Sequence, residues 1–336
     1  METTNYQGAL QKPIGSGFNA TSTASEVIQG IDLTGKIAVI TGGNVGIGLQ
    51  TTRVFSEAGA TVIVLARDVE KAMKNLNGIP NVRVESMDLM NPASIDAFAQ
   101  AFISSGSPLH FLINNAGIMW VPYRTDSRGF ESQLATNHLG HFQLTARLWP
   151  ALKAAHGARV VNVSSFGHHY SPFHFEDPNF ERRAYETLLG YGQSKTAINL
   201  FTVELDNLAK AFQVRAYAVH PGSVGGTDLA REASPDLFKQ MGILGDDGTI
   251  RPEVAATLKT IEQGAATTVW CATSPELNQL GGVYCEDADI AVLDLANDAA
   301  SYKGVLSDSL EENNAKKLWK LSEAMTQVSF EIKSYF

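Results

Sequence analysis

The sequence predicts an α/β fold, a single doubly wound domain whose mostly parallel sheet carries helices on both faces. Three observations predict it. Short β-branched runs alternate with helix-length apolar patterns from about Lys36 to Cys285. The first strand and the first helix are joined by a cluster of glycines. No internal repeat and no linker divides the body in two. Strands that alternate with helices pair in parallel, and a sheet covered by such crossovers is buried on both faces.

Residues 37–41 read as the first strand, and a helix pattern follows to Ala58, where Gly59 is placed to cap it. Residues 61–66 form a second strand, 70–76 a short helix and 82–87 a third strand. Residues 92–104 form a helix with Pro92 in its first turn, where the missing N–H is harmless. A fourth strand covers 111–114. Residues 130–155 are a long helical region that Pro150 is expected to kink or interrupt. Two more strands, 159–164 and 214–220, are separated by an insertion and the helix 190–211. On that helix Ile198, Phe201, Leu205, Leu208 and Phe212 recur at helical spacing as a buried stripe. A helix at 263–273 and a strand at 283–285 complete a body spanning 34–285. Residues 1–33, rich in small polar residues, read as an arm draped over the body or over a partner subunit. Residues 286–336 form a C-terminal extension packed on the same domain, helical over 306–328.

Composition narrows the function. Of 336 residues, 44% are hydrophobic and 18% charged, which is ample for a globular core. A net charge of −9 argues against nucleic acid and anionic membranes as partners, because both select basic surfaces. No apolar run is long enough to span a bilayer, and the N-terminus lacks a secretory pattern. The two cysteines, Cys271 and Cys285, make neither a disulfide framework nor a zinc site, so a reducing, cytoplasmic location is expected. His168, His169 and His174 lie close in sequence without the cysteines or ordered carboxylates a metal centre would need, and no metal is expected.

Gly42, Gly46 and Gly48 sit at the junction of the first strand and the first helix, with Asn44 and Ile47 among them. Glycines there permit a tight turn and close approach of the main chain to a pyrophosphate. The helix start offers free N–H groups and the positive end of its dipole. The second strand should end beside the adenine ribose. Ala66 there lacks a carboxylate, while Arg67 can pair with a 2′-phosphate, which favours NADP(H). Asp68 leaves NAD(H) as the alternative, should it be the residue that reaches the ribose.

Tyr191 and Lys195 stand four apart within a helical pattern, so both side chains share one face. A phenol with an ordinary pKa of about 10 is a poor acid–base group at neutral pH. A nearby ammonium and an oxidised nicotinamide ring both favour the phenolate. Other motifs fall near the carboxyl ends of strands, where ligands of doubly wound sheets bind. Ser165 supplies a hydroxyl to orient a substrate oxygen, Asn115, Ala116 and Gly117 are suited to line the cofactor, and Pro221 and Gly222 follow the sixth strand. Asn137 lies in the long helix after the fourth strand.

Over residues 34–285 these motifs resemble the short-chain dehydrogenase/reductase family, in the branch of the retinol dehydrogenases and many carbonyl reductases. The resemblance implies a Rossmann-type fold and an NADP(H)-dependent oxidoreductase acting on a bulky apolar or aromatic carbonyl or alcohol. It implies Tyr191 as proton donor or acceptor and Ser165, the second serine of its pair, as the hydroxyl on the substrate oxygen. Lys195 would lower the phenol pKa and bind the nicotinamide ribose, and Asn137 would hold a water in the proton relay. Asp88, with Leu89 beside it, would contact adenine, and Asn115 would steady the central sheet. A homodimer or homotetramer is expected. Two other functions remain open on this fold: a non-catalytic NADP(H) sensor, which would usually lack Tyr191 or Lys195, and an epimerase or dehydratase.

Two features depart from the family pattern. Ser165 and Tyr191 are 26 positions apart, about twice the usual gap, and Thr227 falls one residue late for a nicotinamide contact. The intervening insertion carries Phe166, Tyr170, Phe173 and Phe175. These rings are expected to face the substrate as an aromatic wall, with Trp120 and Tyr123 opposite; the alternative is that they pack the insertion onto the body.

Overall fold

Residues 4–296 and 303–332 are described by the computed structural model of the chain. The elements in order are α1 (Ala24–Val27), β1 (Ile37–Thr41), α2 (Gly46–Glu57), β2 (Thr61–Ala66), α3 (Val69–Asn75), β3 (Val82–Ser86) and α4 (Pro92–Ser104). Then come β4 (Phe111–Asn114), α5 (Ser132–Leu134), α6 (Gly140–Ala154), β5 (Arg159–Val163), α7 (Thr187–Ala209) and β6 (Arg215–His220). After β6 the chain forms α8 (Pro235–Gln240), α9 (Pro252–Ala255), α10 (Ile261–Thr273), β7 (Tyr284–Glu286), β8 (Asp289–Ile290), β9 (Leu293–Asp294), β10 (Val305–Leu306) and α11 (Glu312–Thr326).

The main sheet has the order β3-β2-β1-β4-β5-β6-β7-β8, parallel throughout except for β8. The chain runs outward from β1 to β3, then crosses back to β4 and runs the other way. That reversal opens a crevice at the carboxyl ends of β1 and β4, where a ligand of a doubly wound sheet sits.

Successive strand residues point to opposite faces, and each face meets its own apolar layer. Val39, Ile63 and Leu65 join the layer formed with α4, α6, α7 and α11. Ala38, Ile40, Val62 and Val64 join the layer formed with α1, α2 and α10. The stripe expected on α7 is wider in the structure: nearly every residue from Gly190 to Asp206 is buried. The reason is α11, which lies over the side of α7 that the sheet leaves open and shares the same apolar layer.

Two local expectations are corrected. The helix containing Pro150 continues unbroken to Ala154, with the ring exposed at its last turns. The irregularity falls earlier, at Ala135–Leu139, which adopts wider π-type turns. The sheet does not stop at Cys285 either, because β8 turns back antiparallel on β7 through the left-handed residues Asp287 and Ala288. The N-terminal arm lies on its own body. Asn5 Nδ2 donates to the Gly282 carbonyl at 2.9 Å, and Gln11 bridges the Tyr284 and Ala291 carbonyls. Both cysteines are free and buried.

Candidate active site

The turn after β1 is held open by its neighbours. Asn115 Nδ2 donates to the Thr41 carbonyl at 2.9 Å, and the N–H groups of Asn115 and Ala116 both donate to Thr41 Oγ1 at 2.9 Å. Asn115 thus ties the turn to the end of β4. Gly42 and Gly46 have positive φ, and a Cβ on Gly48 would clash with the Gly42 carbonyl oxygen and lie 2.5 Å from Asn115 Nδ2. No side chain caps the start of α2 at Val45, so its first-turn N–H groups are available to an anion. A cavity of about 350 Å³ opens there, lined by Asn44, Val45, Gly46, Leu49, Asn75 and Gly226, with Asp228. Main-chain donors, glycines that bring no side chain of their own, and an uncapped helix fit the pyrophosphate of a dinucleotide.

The other expected cofactor residues are spread along the same edge. Ile47 packs on the layer beneath α2. Arg67 is exposed just past β2 and forms no salt bridge among the described residues, while Asp68 is engaged as the cap of α3, accepting the Lys71 N–H at 2.9 Å. Asp88 is half-buried and accepts the Met90 N–H at 3.0 Å. The Leu89 side chain is buried in the core, so only its main chain is available to adenine. Gly117 lies against Asn137, Pro221 and Gly222 follow β6, and Thr227 sits over the glycine turn, 3.6 Å from the Cβ position of Gly46.

Tyr191 and Lys195 leave one face of α7 and are both buried. Lys195 Nζ donates to the Val163 carbonyl at 2.9 Å and lies 5.4 Å from the centre of the Tyr191 ring. Burial pulls the Lys195 ammonium down to about 7. Burial also pushes the Tyr191 phenol well above its ordinary range; a hydrogen bond with Ser165 works against that rise, and nearby Tyr170 adds to it. The protein's own groups therefore keep Tyr191 protonated at neutral pH. Ser165, not Ser164, stands beside it: Ser164 Oγ is turned away to Asn199 Oδ1 at 2.6 Å. Ser165 Oγ accepts the Gly167 N–H at 2.9 Å. A Cβ on Gly167 would lie 2.5 Å from Tyr191 Cε1, so the loop after β5 rests directly on the reactive ring.

Asn137 sits in the π-type turns, and its side chain is fully engaged. It accepts the Ile118 N–H at 2.9 Å and donates to the Ile118 carbonyl and Ser194 Oγ, each at 3.0 Å. The main-chain carbonyl oxygen of Asn137 lies 3.0 Å from His141 Nδ1. The side chain thus joins the loop after β4 to α7.

The aromatic wall divides. Tyr170 stays beside Tyr191, and Phe166 is buried in the loop after Ser165, stacked on His169 with ring centres 4.2 Å apart. Phe173 belongs to the core layer under α7 and α11, 7% exposed, and Phe175 packs on it with ring centres 4.8 Å apart beneath the Lys317 ammonium. Those two rings fasten the insertion to the body, and the expectation that they face substrate is corrected. Sequence reading missed the cover over the cleft. The segment after β6 brings Phe238 against Trp120, ring centres 5.4 Å apart, Glu232 onto Arg124, and Leu229 against Gly117. Its turn-rich composition gave no periodic signal. Tyr123 is exposed and pairs with Tyr185.

Comparison with known proteins agrees with this geometry. The short chain dehydrogenase family profile matches residues 36–237. A Streptomyces lividans protein named as a probable oxidoreductase is 42% identical over 296 residues, covering 86% of this chain and 97% of that one. Human retinol dehydrogenase 12 is 40% identical over 263 residues, covering 76% and 79%. A crystal structure of an uncharacterised protein from Mycobacterium paratuberculosis superimposes with a TM-score of 0.70 at 32% identity, covering 90% of this chain and 98% of that one.

Proposed function

Because the chain belongs to the short-chain dehydrogenase family, in its retinol-dehydrogenase-like branch, we propose that this oxidoreductase uses NADP(H) and acts on bulky apolar carbonyls or the matching alcohols. The observation that carries the reaction is the placement of Tyr191 between Ser165 and Lys195, at the sheet edge that also holds the glycine turn. The reduced nicotinamide, when bound, supplies the hydride that becomes the new C–H bond at the carbonyl carbon. Ser165 Oγ holds the carbonyl oxygen, and the Tyr191 hydroxyl delivers the proton that completes the alcohol. Lys195, in its ammonium form, supports the phenolate left behind. In the reverse direction the same phenolate accepts the alcohol proton.

Support for NADP(H) comes from Ala66 and the exposed Arg67, with Asp68 engaged by its own helix. Support for a bulky apolar substrate comes from Trp120, Phe238, Leu229 and Tyr170 around the cleft, and from the retinol named in the relatives. Among the described residues no helix is long and apolar enough to cross a membrane. The reading is tested with a panel of carbonyls and alcohols, following reduced nicotinamide by absorbance with NADPH and with NADH. NADPH should support faster reduction of polyene and aromatic aldehydes than of small ketones at neutral pH. Oxidation should speed up toward alkaline pH, as Tyr191 loses its proton. A preference for NADH, or for small polar ketones, would contradict it.

A further inference from the structure

The peptide bond that follows Ser165 is gripped at both polar ends by histidines for which the reaction has no use. Its carbonyl oxygen lies 2.8 Å from His168 Nδ1, and its N–H, on Phe166, donates to His220 Nδ1 at 3.3 Å. The partners fix the protons. A carbonyl oxygen can only accept, so His168 carries its proton on Nδ1. The lone pair is then on Nε2, and there the Leu306 N–H, which can only donate, points at it from 3.2 Å. His220 is the reverse case. Its Nδ1 accepts from Phe166 and also from the Gly222 N–H at 3.4 Å, so its proton sits on Nε2. His168 is buried and His220 half-buried, and desolvation pulls each down to about 3, so both rings are neutral.

Each grip is anchored outside the catalytic loop. His220 ends β6 and shares its lone pair with the Pro221–Gly222 turn. His168 reaches β10, and the neighbouring His169 places Nε2 3.3 Å from Asp294 Oδ2 in β9. A peptide plane held from both sides cannot turn, which fixes ψ at Ser165 and φ at Phe166 and with them the path of the chain on which the Ser165 side chain stands. We infer that His168 and His220 are positioning residues that set the orientation of Ser165, and that His168 makes this orientation depend on the C-terminal strand carrying Leu306. This rests on Ser165 being the hydroxyl that holds the substrate oxygen.

The link can be cut at one atom. Leu306 has φ −69°, a value proline adopts, and Val305 before it lies in a strand. Leu306→Pro therefore removes the N–H, whereas Leu306→Ala keeps it and removes the side chain. In the full-length protein kcat for Leu306→Pro should fall about tenfold or more below Leu306→Ala, since small misplacements of a reacting group are costly. NADPH affinity should stay the same in the two variants. His168→Ala should lose as much, and His168→Asn, which keeps an N–H donor near the Ser165 carbonyl, should recover part. Equal kcat for the proline and alanine variants would overturn the proposal, as would a loss confined to NADPH affinity. A second readout needs neither variant folding nor turnover. Nitrogen-15 spectra of the histidine-labelled wild type should show His168 as the Nδ1–H form and His220 as the Nε2–H form. The opposite form for His168 overturns the proposal whatever the activity. An inactive wild type with the expected forms speaks against the oxidoreductase reading alone, and the grip on Ser165 stands.

Discussion

The loops after β1 and after β5 leave the same edge of the sheet, separated by β4, yet they are built in opposite ways. The first is defined by what is missing: no side chain at Gly42, Gly46 or Gly48, no cap on α2, and main-chain N–H groups left to meet an anion. The second is crowded. Ser165 caps its own 3-10 turn, Phe166 stacks on His169, His168 is tied to Leu306, and Phe173 is sunk into the core. A site that must approach a pyrophosphate gains from bare backbone, and a site that must aim one hydroxyl gains from many fixed partners. Substitutions should therefore fail differently in the two places, one by loss of cofactor and the other by loss of stability or of geometry.

The largest effect should come from the crowded loop. Phe173→Ala leaves a cavity in the layer under α7 and α11, and should cost about 3–5 kcal/mol of stability by denaturant titration. KM for large and small substrates should then change alike. A variant of normal stability with a higher KM only for large substrates would restore Phe173 to the substrate wall. At the bare turn, Gly48→Ala pushes a methyl group into the Gly42 carbonyl and should cost about 3 kcal/mol of cofactor binding, near a hundredfold in Kd. Unchanged NADPH affinity by fluorescence titration would mean that the turn does not hold the pyrophosphate. The smallest of the three is Arg67→Ala, which should weaken NADPH relative to NADH by about 1.5 kcal/mol, the low end for a charge-assisted hydrogen bond at an exposed site. Equal weakening of both cofactors would move the 2′-phosphate contact elsewhere.

The same contrast explains what could be read from the sequence. Ile37–Thr41, Thr61–Ala66, Pro92–Ser104 and Phe111–Asn114 match their expected limits to the residue, because each is a local apolar pattern punctuated by Gly, Pro or Asn. The glycine turn was legible for the same reason: its signal lies within seven residues, from Gly42 to Gly48. The surroundings of Ser165 were not. Phe173 looks the same in sequence whether it faces a cleft or a core, and the residues that bury it include α11, far along the chain. His168 carries no hint of Leu306, since β9 and β10 are two residues each and too short to show any alternation. Nor does the sequence show the setting of the Asn137 side chain, whose place in π-type turns, bonded to Ile118 and Ser194, depends on packing between distant segments. The C-terminal limits of the expected extension, residues 333–336, lie outside the described residues.

The proposed reaction turns on Tyr191 being the group that moves the proton. Tyr191→Phe keeps the ring that Gly167 rests on and removes only the hydroxyl, so the fold and the glycine turn should be untouched. Steady-state turnover should be measured with NADPH and the best carbonyl of the panel, alongside NADPH affinity by fluorescence titration. The expected result is a kcat lower by roughly 10²-fold or more with unchanged NADPH affinity, the usual loss when a positioned acid is removed. A Tyr191→Phe protein that turns over at the wild-type rate would show that the proton comes from elsewhere and would contradict the account.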